Sequence, residues 1–290
     1  LYKKANPDLS AIGNEDAKQH FMHHGILEGR VYNHIRTRQD FLDQAQQRQG
    51  LKLEIGPLDR PQLDHTSADY FSLDVFNKQE LIENYKDHSN VDKERIIEPD
   101  FVIRNNDYSG IQHQFNRILS SHSIEHIPCL VNFLQTLEKL LAPDGEVYFI
   151  IPDKRYCFDH FKEETSIYEV LQSYLDRDHR PRFSEVLKQQ TLVTHNDPHR
   201  HWAGDHGSID ETRVLLHEYA TTLENYNQQP YVDTHVSTFT PRSILNILDI
   251  LNKLSLINLR VNRIYHTLRG TCEFFLILKK NNRDSILPSN

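Results

Sequence analysis

The sequence predicts an α/β protein built on a seven-stranded, mostly parallel sheet whose last strand runs antiparallel. Three observations carry this. Short apolar segments of strand character recur between residues 51 and 151, and helical periodicities separate them. Alternating strands and helices imply parallel crossover units with helices on both faces of one sheet. Two further strand-like segments, residues 256–265 and 272–279, flank a Leu268-Arg269-Gly270 turn and read as a closing antiparallel hairpin.

Composition bounds the answer. A chain of 290 residues is ample for one large α/β domain plus an accessory piece. No apolar run reaches the roughly 18 residues that cross a bilayer, so no membrane span is expected. The opening Leu1-Tyr2-Lys3-Lys4 lacks the apolar stretch of a signal peptide. The only methionine is Met22, which suggests a segment of a longer chain or a processed product. A net charge of -8 argues against a broad nucleic-acid surface, because phosphate binding needs clustered Lys and Arg. Cys129, Cys157 and Cys272 are far apart and form no CxxC pair, as expected of a reducing, cytoplasmic compartment.

The elements follow in chain order. Residues 1–36 hold a helix over 15–24, stopped by Gly25, and are too few to bury a core of their own. Residues 37–49, rich in Gln and Arg, read as a connecting helix. The main domain spans residues 50–280. Its first strand, Leu51-Lys52-Leu53-Glu54-Ile55, ends at the turn Gly56-Pro57, and a second runs over 70–75. A helix over 78–86 precedes a third strand over 96–103, interrupted by Pro99, and a fourth over 115–119. Pro128 opens an amphipathic helix marked by Leu130, Phe133, Leu134, Leu137 and Leu140. Pro143-Asp144-Gly145 is a turn, and the fifth strand, 146–151, ends at Pro152-Asp153. Residues 154–235 break the rhythm as a helical, His-rich insertion beside the active-site edge. Thr240-Pro241 caps a helix through Leu254. The tail, residues 281–290, is polar and expected to be disordered.

In a doubly wound sheet, ligands bind at the carboxyl ends of the strands where the strand order reverses. Gly56 at the end of the first strand permits a tight turn and a close approach, and Asp74 at the end of the second can accept both hydroxyls of a ribose. With the stretches Ser121-His122-Ser123-Ile124-Glu125-His126-Ile127-Pro128, Leu141-Ala142-Pro143-Asp144-Gly145 and Ile151-Pro152-Asp153-Lys154-Arg155-Tyr156, residues 50–280 resemble the class I, Rossmann-like S-adenosylmethionine-dependent methyltransferases. The likeness is to a bacterial, type-11-like subgroup with a Glu-Ile-Gly-Pro turn. It implies S-adenosylmethionine as cofactor. Glu54, Gly56 and Pro57 would lie beside its methionine part, with Ser121 and His122 lining the same side. Asp74 would hold the ribose, and Asp107 would lie near the adenine amine. One departure is that Leu58 and Arg60 replace the later glycines of the usual motif, and Pro57 removes an amide donor.

Residues 2–33, with Asn6-Pro7-Asp8-Leu9 and Glu28-Gly29-Arg30, resemble a short bacterial repeat found in enzymes of surface-polysaccharide synthesis. That resemblance implies a sugar or polysaccharide acceptor and a glycosyltransferase domain or partner.

The stretch His195-Asn196-Asp197-Pro198-His199-Arg200-His201-Trp202-Ala203-Gly204-Asp205-His206-Gly207 concentrates four histidines and the only tryptophan. Its spacing matches no standard zinc pattern, so the expectation is an acceptor loop with no metal, with Trp202 as a stacking surface. If the acceptor is a hydroxyl, a base takes its proton. His201 and then His206 are the expected candidates, ahead of His160, His195 and Asp153. Lys154-Arg155-Tyr156 suits either an anionic acceptor or pairing with nearby carboxylates. Glu125-His126 can act as an acid and base, but the favoured reading is structural, with His126 bonding backbone at a helix start. The rival to an enzyme is a non-catalytic module of the same fold that binds a glycan or a glycosyltransferase.

Overall fold

The structure, a computed structural model, describes residues 3, 6–25, 28, 35–47, 49–104, 107–229 and 232–281. Parts of the expected repeat over residues 2–33, Asn105 and Asn106 before Asp107, and the tail beyond residue 281 lie outside the described residues. The helices are α1 (Asn14–His20), α2 (Arg38–Gln46), α3 (Lys78–Asn84), α4 (Leu130–Leu140), α5 (Ile167–Asp176), α6 (Phe183–Thr191), α7 (Pro198–Trp202), α8 (Glu211–Gln228) and α9 (Pro241–Lys253). The strands are β1 (Lys52–Ile55), β2 (Tyr70–Asp74), β3 (Phe101–Val102), β4 (Phe115–Ser121), β5 (Leu141–Pro152), β6 (Leu259–Tyr265) and β7 (Glu273–Lys280).

The seven strands form one sheet in the order β3-β2-β1-β4-β5-β7-β6. The first five are parallel, and β7 runs antiparallel between β5 and β6. This is the Rossmann-like arrangement expected, with the order reversing between β1 and β4. Alternation along the central strands builds two cores. Val147, Phe149 and Ile151 of β5 and Phe274, Leu276 and Leu278 of β7 face a core shared with α4, α5 and α9. Tyr148, Ile150, Phe275 and Ile277 point to the other face and meet Phe41, Leu42 and Ala45 of α2. Side-chain caps start the helices where the sequence supplies them. Thr37, Asn77, Ser166 and Thr240 each close a capping box, satisfying amides that the first turn leaves unpaired.

Four local features shape the sheet and its connections. Residues 56–69, between β1 and β2, contain no helix. A right-handed crossover from β1 to β2 runs opposite to that from β4 to β5, so its helix would lie on the face away from α4. On that face α2 packs instead, over β5 and β7. The third strand shrinks to two residues, because Pro99 has no amide and the Asp100 carboxylate takes the Ser72 amide at 2.8 Å in place of a backbone carbonyl. Residues 142–145 bulge within β5, and a Cβ on Gly145 would stand 2.7 Å from the Phe115 carbonyl oxygen. Finally, α4 begins at Leu130 with Cys129 as its cap, two residues beyond Pro128. Among the described residues no helix is long and apolar enough to cross a membrane.

Candidate functional site

The site is built from the carboxyl ends of β1, β2 and β4, where the strand order reverses. Gly56 leaves β1 with φ +63°, a conformation that side chains with a Cβ resist. Its amide donates to the Leu73 carbonyl at 2.8 Å, which sets it beside the end of β2. The Ser123 hydroxyl donates to the Ile55 carbonyl at 3.2 Å, which pins the end of β1 to the loop after β4. A Cβ on Gly56 would stand 3.4 Å from that hydroxyl. Gly56→Ala is therefore expected to cost about 1–2 kcal/mol, mostly from the backbone conformation, as read by urea unfolding.

Where later glycines would continue the turn, the chain is anchored differently. Leu58 adopts φ +48° and packs against Leu81, Val91 and Ile96. The buried Asp59 accepts the Asp92 amide at 2.9 Å.

Asp74 is half-buried at the end of β2. Its Oδ1 accepts the Val75 amide at 2.7 Å and the Phe76 amide at 3.3 Å, while its Oδ2 makes no hydrogen bond among the described residues. Burial pushes its carboxyl up to about 6, against the lowering effect of those two amides. One oxygen is thus fixed by amides, and the other accepts no hydrogen bond among the described residues.

Glu54 is otherwise engaged. Its carboxylate is 1 % exposed and accepts the Gln62 amide at 2.8 Å, the Leu63 amide at 3.2 Å and the Tyr70 hydroxyl at 3.3 Å. Burial raises it to about 7 despite these partners. Glu54 points to the α2 face of the sheet and holds the helix-free loop after β1. Ser121 accepts from the Arg38 guanidinium at 2.8 Å, and Arg38 also pairs with Glu273. His122, at φ +51°, places Nε2 2.7 Å from the same Glu273 carboxylate. Asp107 is exposed and closes its own turn on the Ser109 amide at 2.9 Å; no described contact brings it to Asp74.

The insertion folds its histidines into a stack. His160 and His206 lie ring on ring at 3.7 Å and 10°, and His201 stacks on His195 at 4.2 Å. His201 is 2 % exposed, with Nε2 3.1 Å from the His195 carbonyl and Nδ1 3.0 Å from His206 Nδ1. A carbonyl only accepts, so His201 donates from Nε2 and accepts at Nδ1 from His206. Both nitrogens of His201 are thus engaged within the chain. His206 keeps Nε2 as its lone-pair atom. Asp153 is also occupied, bound by the Arg155 guanidinium at 2.9 and 2.6 Å and by the Thr267 hydroxyl at 2.5 Å. Lys154 donates to the His160 carbonyl at 2.9 Å. The Lys154-Arg155 pair therefore serves the chain itself. Trp202 stacks on Tyr156 at 4.0 Å and 4° and donates to the Thr271 carbonyl, so one indole face is already covered.

A cluster around Glu125 and His126, for which the sequence favoured a structural reading, lies directly after β4. A 3-10 turn, Ile124–His126, buries Glu125 at 1 % exposure, with neither carboxylate oxygen hydrogen-bonded. Three imidazoles surround Oε1: His122 Nδ1 at 3.6 Å, His126 Nε2 at 4.0 Å and His235 Nε2 at 4.0 Å. The far nitrogen of each meets another carboxylate. His126 Nδ1 lies 2.8 Å from Asp233 and not on backbone as expected, and His235 Nδ1 lies 2.5 Å from Asp159. Burial opposes protonation of His122 and His126, but Glu273, Asp233 and the charge of Glu125 outweigh it and raise both. His235 arrives from the far end of the insertion because the Ser237 amide donates to the Glu125 carbonyl at 3.0 Å. In the sequence, only the adjacent Glu125-His126 pair signalled this cluster.

No family model matches the chain, and no curated protein matches it. Among solved structures, it is similar to the CcbJ methyltransferase from Streptomyces caelestis at 8% identity, covering 84% of this chain and 96% of that one, with a TM-score of 0.42. An S-adenosylmethionine-dependent methyltransferase from Clostridium acetobutylicum ATCC 824 gives 10% identity, coverage of 93% and 100%, and a TM-score of 0.42. The plantazolicin methyltransferase BpumL in complex with SAH gives 10% identity, coverage of 96% and 92%, and a TM-score of 0.42. Likenesses this distant carry no argument about the site. The fold rests on the chain's own strand order and directions, those of a Rossmann-like seven-stranded sheet.

Proposed function

We propose that this protein is an S-adenosylmethionine-dependent methyltransferase that methylates a hydroxyl of a sugar or polysaccharide-related acceptor. The observation that carries the cofactor assignment is Asp74. It stands at the carboxyl end of β2 with one oxygen fixed by amides and the other accepting no hydrogen bond among the described residues, and the left-handed Gly56 lies at the same switch point. A ribose diol is the ligand that such a carboxylate suits. The sulfonium supplies an already activated methyl group, so the chain's task is to hold donor and acceptor in line. The polar acceptor is supported by the imidazoles and carboxylates gathered after β4 and in the insertion, with His206 Nε2 as a proton acceptor within the stack. The sugar class and a glycosyltransferase partner are suggested by the N-terminal repeat resemblance.

Calorimetric titration with S-adenosylmethionine and with its demethylated product, S-adenosylhomocysteine, tests the reading. One site of micromolar affinity is expected for each. If neither ligand binds below millimolar concentration, the enzyme reading fails and the chain is a methyltransferase-like binding module.

A further inference from the structure

We infer that Glu125, His126 and His235 form a binding site for a divalent first-row transition-metal ion such as zinc. Three observations converge on it. The Glu125 carboxylate is 1 % exposed and has no hydrogen bond on either oxygen. Buried carboxylates are ordinarily hydrogen-bonded, closely paired or bound to metal, and only imidazole nitrogens at 3.6–4.0 Å approach this one. Next, His126 Nε2 and His235 Nε2 each lie 4.0 Å from Glu125 Oε1, and one donor atom from each of the three residues lies within 4.8 Å of the other two. Tetrahedral ligation at about 2.1 Å sets donor atoms roughly 3.4 Å apart, so binding needs a contraction of at most about 1.4 Å.

The third observation concerns orientation. His235 Nδ1 is held by Asp159 at 2.5 Å, and Asp159 is itself held by Lys162 at 2.7 Å. His126 Nδ1 lies 2.8 Å from Asp233 as an ion-pair contact without hydrogen-bond geometry. The Asp159 carboxylate on His235 Nδ1 keeps the proton there and turns the Nε2 lone pair of His235 inward, the support that metal-bound imidazoles receive. Two imidazoles and one carboxylate suit zinc, iron(II), cobalt(II) or manganese(II), and three protein ligands leave a position open for an oxygen ligand.

The group His160, His201 and His206 is the other set of close donors among the described residues. It fits less well. Its rings are stacked, it contains no carboxylate, and both nitrogens of His201 are engaged. It therefore serves as the control. The metal site stands without the methyltransferase reading, since neither cofactor nor acceptor enters the argument.

The test is titration of the full chain, stripped with chelator and dialysed, with Zn2+ by calorimetry and with Co2+ by visible absorption. One equivalent of each is expected, with cobalt bands of a nitrogen- and oxygen-ligated ion. Glu125→Gln and His235→Gln should each weaken binding by about a hundredfold or more, Asp159→Asn by about tenfold, and His206→Gln by less than about twofold. If a ligand variant does not fold, the wild-type protein still decides, because bound Co2+ must shift the ring resonances of His126 and His235. Absence of stoichiometric binding to folded wild-type protein overturns the site and leaves the imidazoles as ion partners of Glu125. Binding lost in His206→Gln but kept in Glu125→Gln overturns it in favour of the stacked group. A parallel titration with S-adenosylhomocysteine reads the cofactor site separately.

Discussion

Asp74→Ala is expected to weaken S-adenosylhomocysteine binding by about a hundredfold, with the fold intact by circular dichroism. A ribose diol gives two hydrogen bonds to an ionised acceptor, each worth about 1.5–3 kcal/mol, and loss of about 3 kcal/mol is a hundredfold in affinity. The carboxylate is already oriented by the Val75 and Phe76 amides, so little ordering is needed on binding. Val75 is exposed, and water can take the freed amide in the variant. The same residue sets a pH dependence. Its carboxyl is raised to about 6, and only the ionised form accepts both hydroxyls. Affinity should therefore be full at pH 7 and above, and fall by about tenfold as the pH drops to 5. Stability of the unliganded fold runs the other way. A carboxyl whose folded value is raised favours the native state below its ordinary value and loses that contribution as pH rises through about 6. Asp74→Asn should flatten both profiles. Unchanged affinity in Asp74→Ala, or a flat wild-type binding profile from pH 5 to 7, would remove the ribose assignment.

The parts of this fold that the sequence made legible are those where pattern and cap agree. Thr240 followed by Pro241 and the apolar spacing through Leu251 mark α9, and the alternation in β7 marks a strand between two cores. Gly56 and Asp74 could be placed at strand ends for the same reason. What escaped depends on which face a residue takes. Glu54 sits between Leu53 and Ile55, and pleat alternation turns it away from them, toward Tyr70 and the loop after β1. A row of histidines in the sequence does not tell which ring is interior, as His201 is, buried with both nitrogens engaged within the chain. The cluster around Glu125 was least legible. It requires the end of the insertion to return to β4, and that return is carried by backbone contacts such as Ser237 to Glu125 and Thr165 to Thr238, which no side-chain pattern announces.

Phe41→Ala is expected to destabilise the protein by about 3–5 kcal/mol, the usual cost of removing a buried aromatic ring. In sequence, residues 37–49 read as a link between units. In the structure Phe41 is fully buried, stacked on Phe275 at 4.7 Å and 17°, with Tyr148 at 5.3 Å and Tyr265 at 6.0 Å. These partners belong to β5, β6 and β7, so α2 seals the face that the helix-free β1–β2 connection does not cover. Little else is at hand to refill the space, which places the cost toward the upper end. The exposed Gln39→Ala on the same helix should stay within about 0.5 kcal/mol. Urea unfolding of both variants measures the contrast, and a loss below 1 kcal/mol for Phe41→Ala would mean that α2 is dispensable to the sheet. The effect should also reach the candidate site. Arg38 lies one turn from Phe41 and joins Ser121 to Glu273, the carboxylate that holds His122. A loosened α2 would release that guanidinium, so Phe41→Ala should weaken S-adenosylhomocysteine binding even under conditions where the protein remains folded, whereas Gln39→Ala should not.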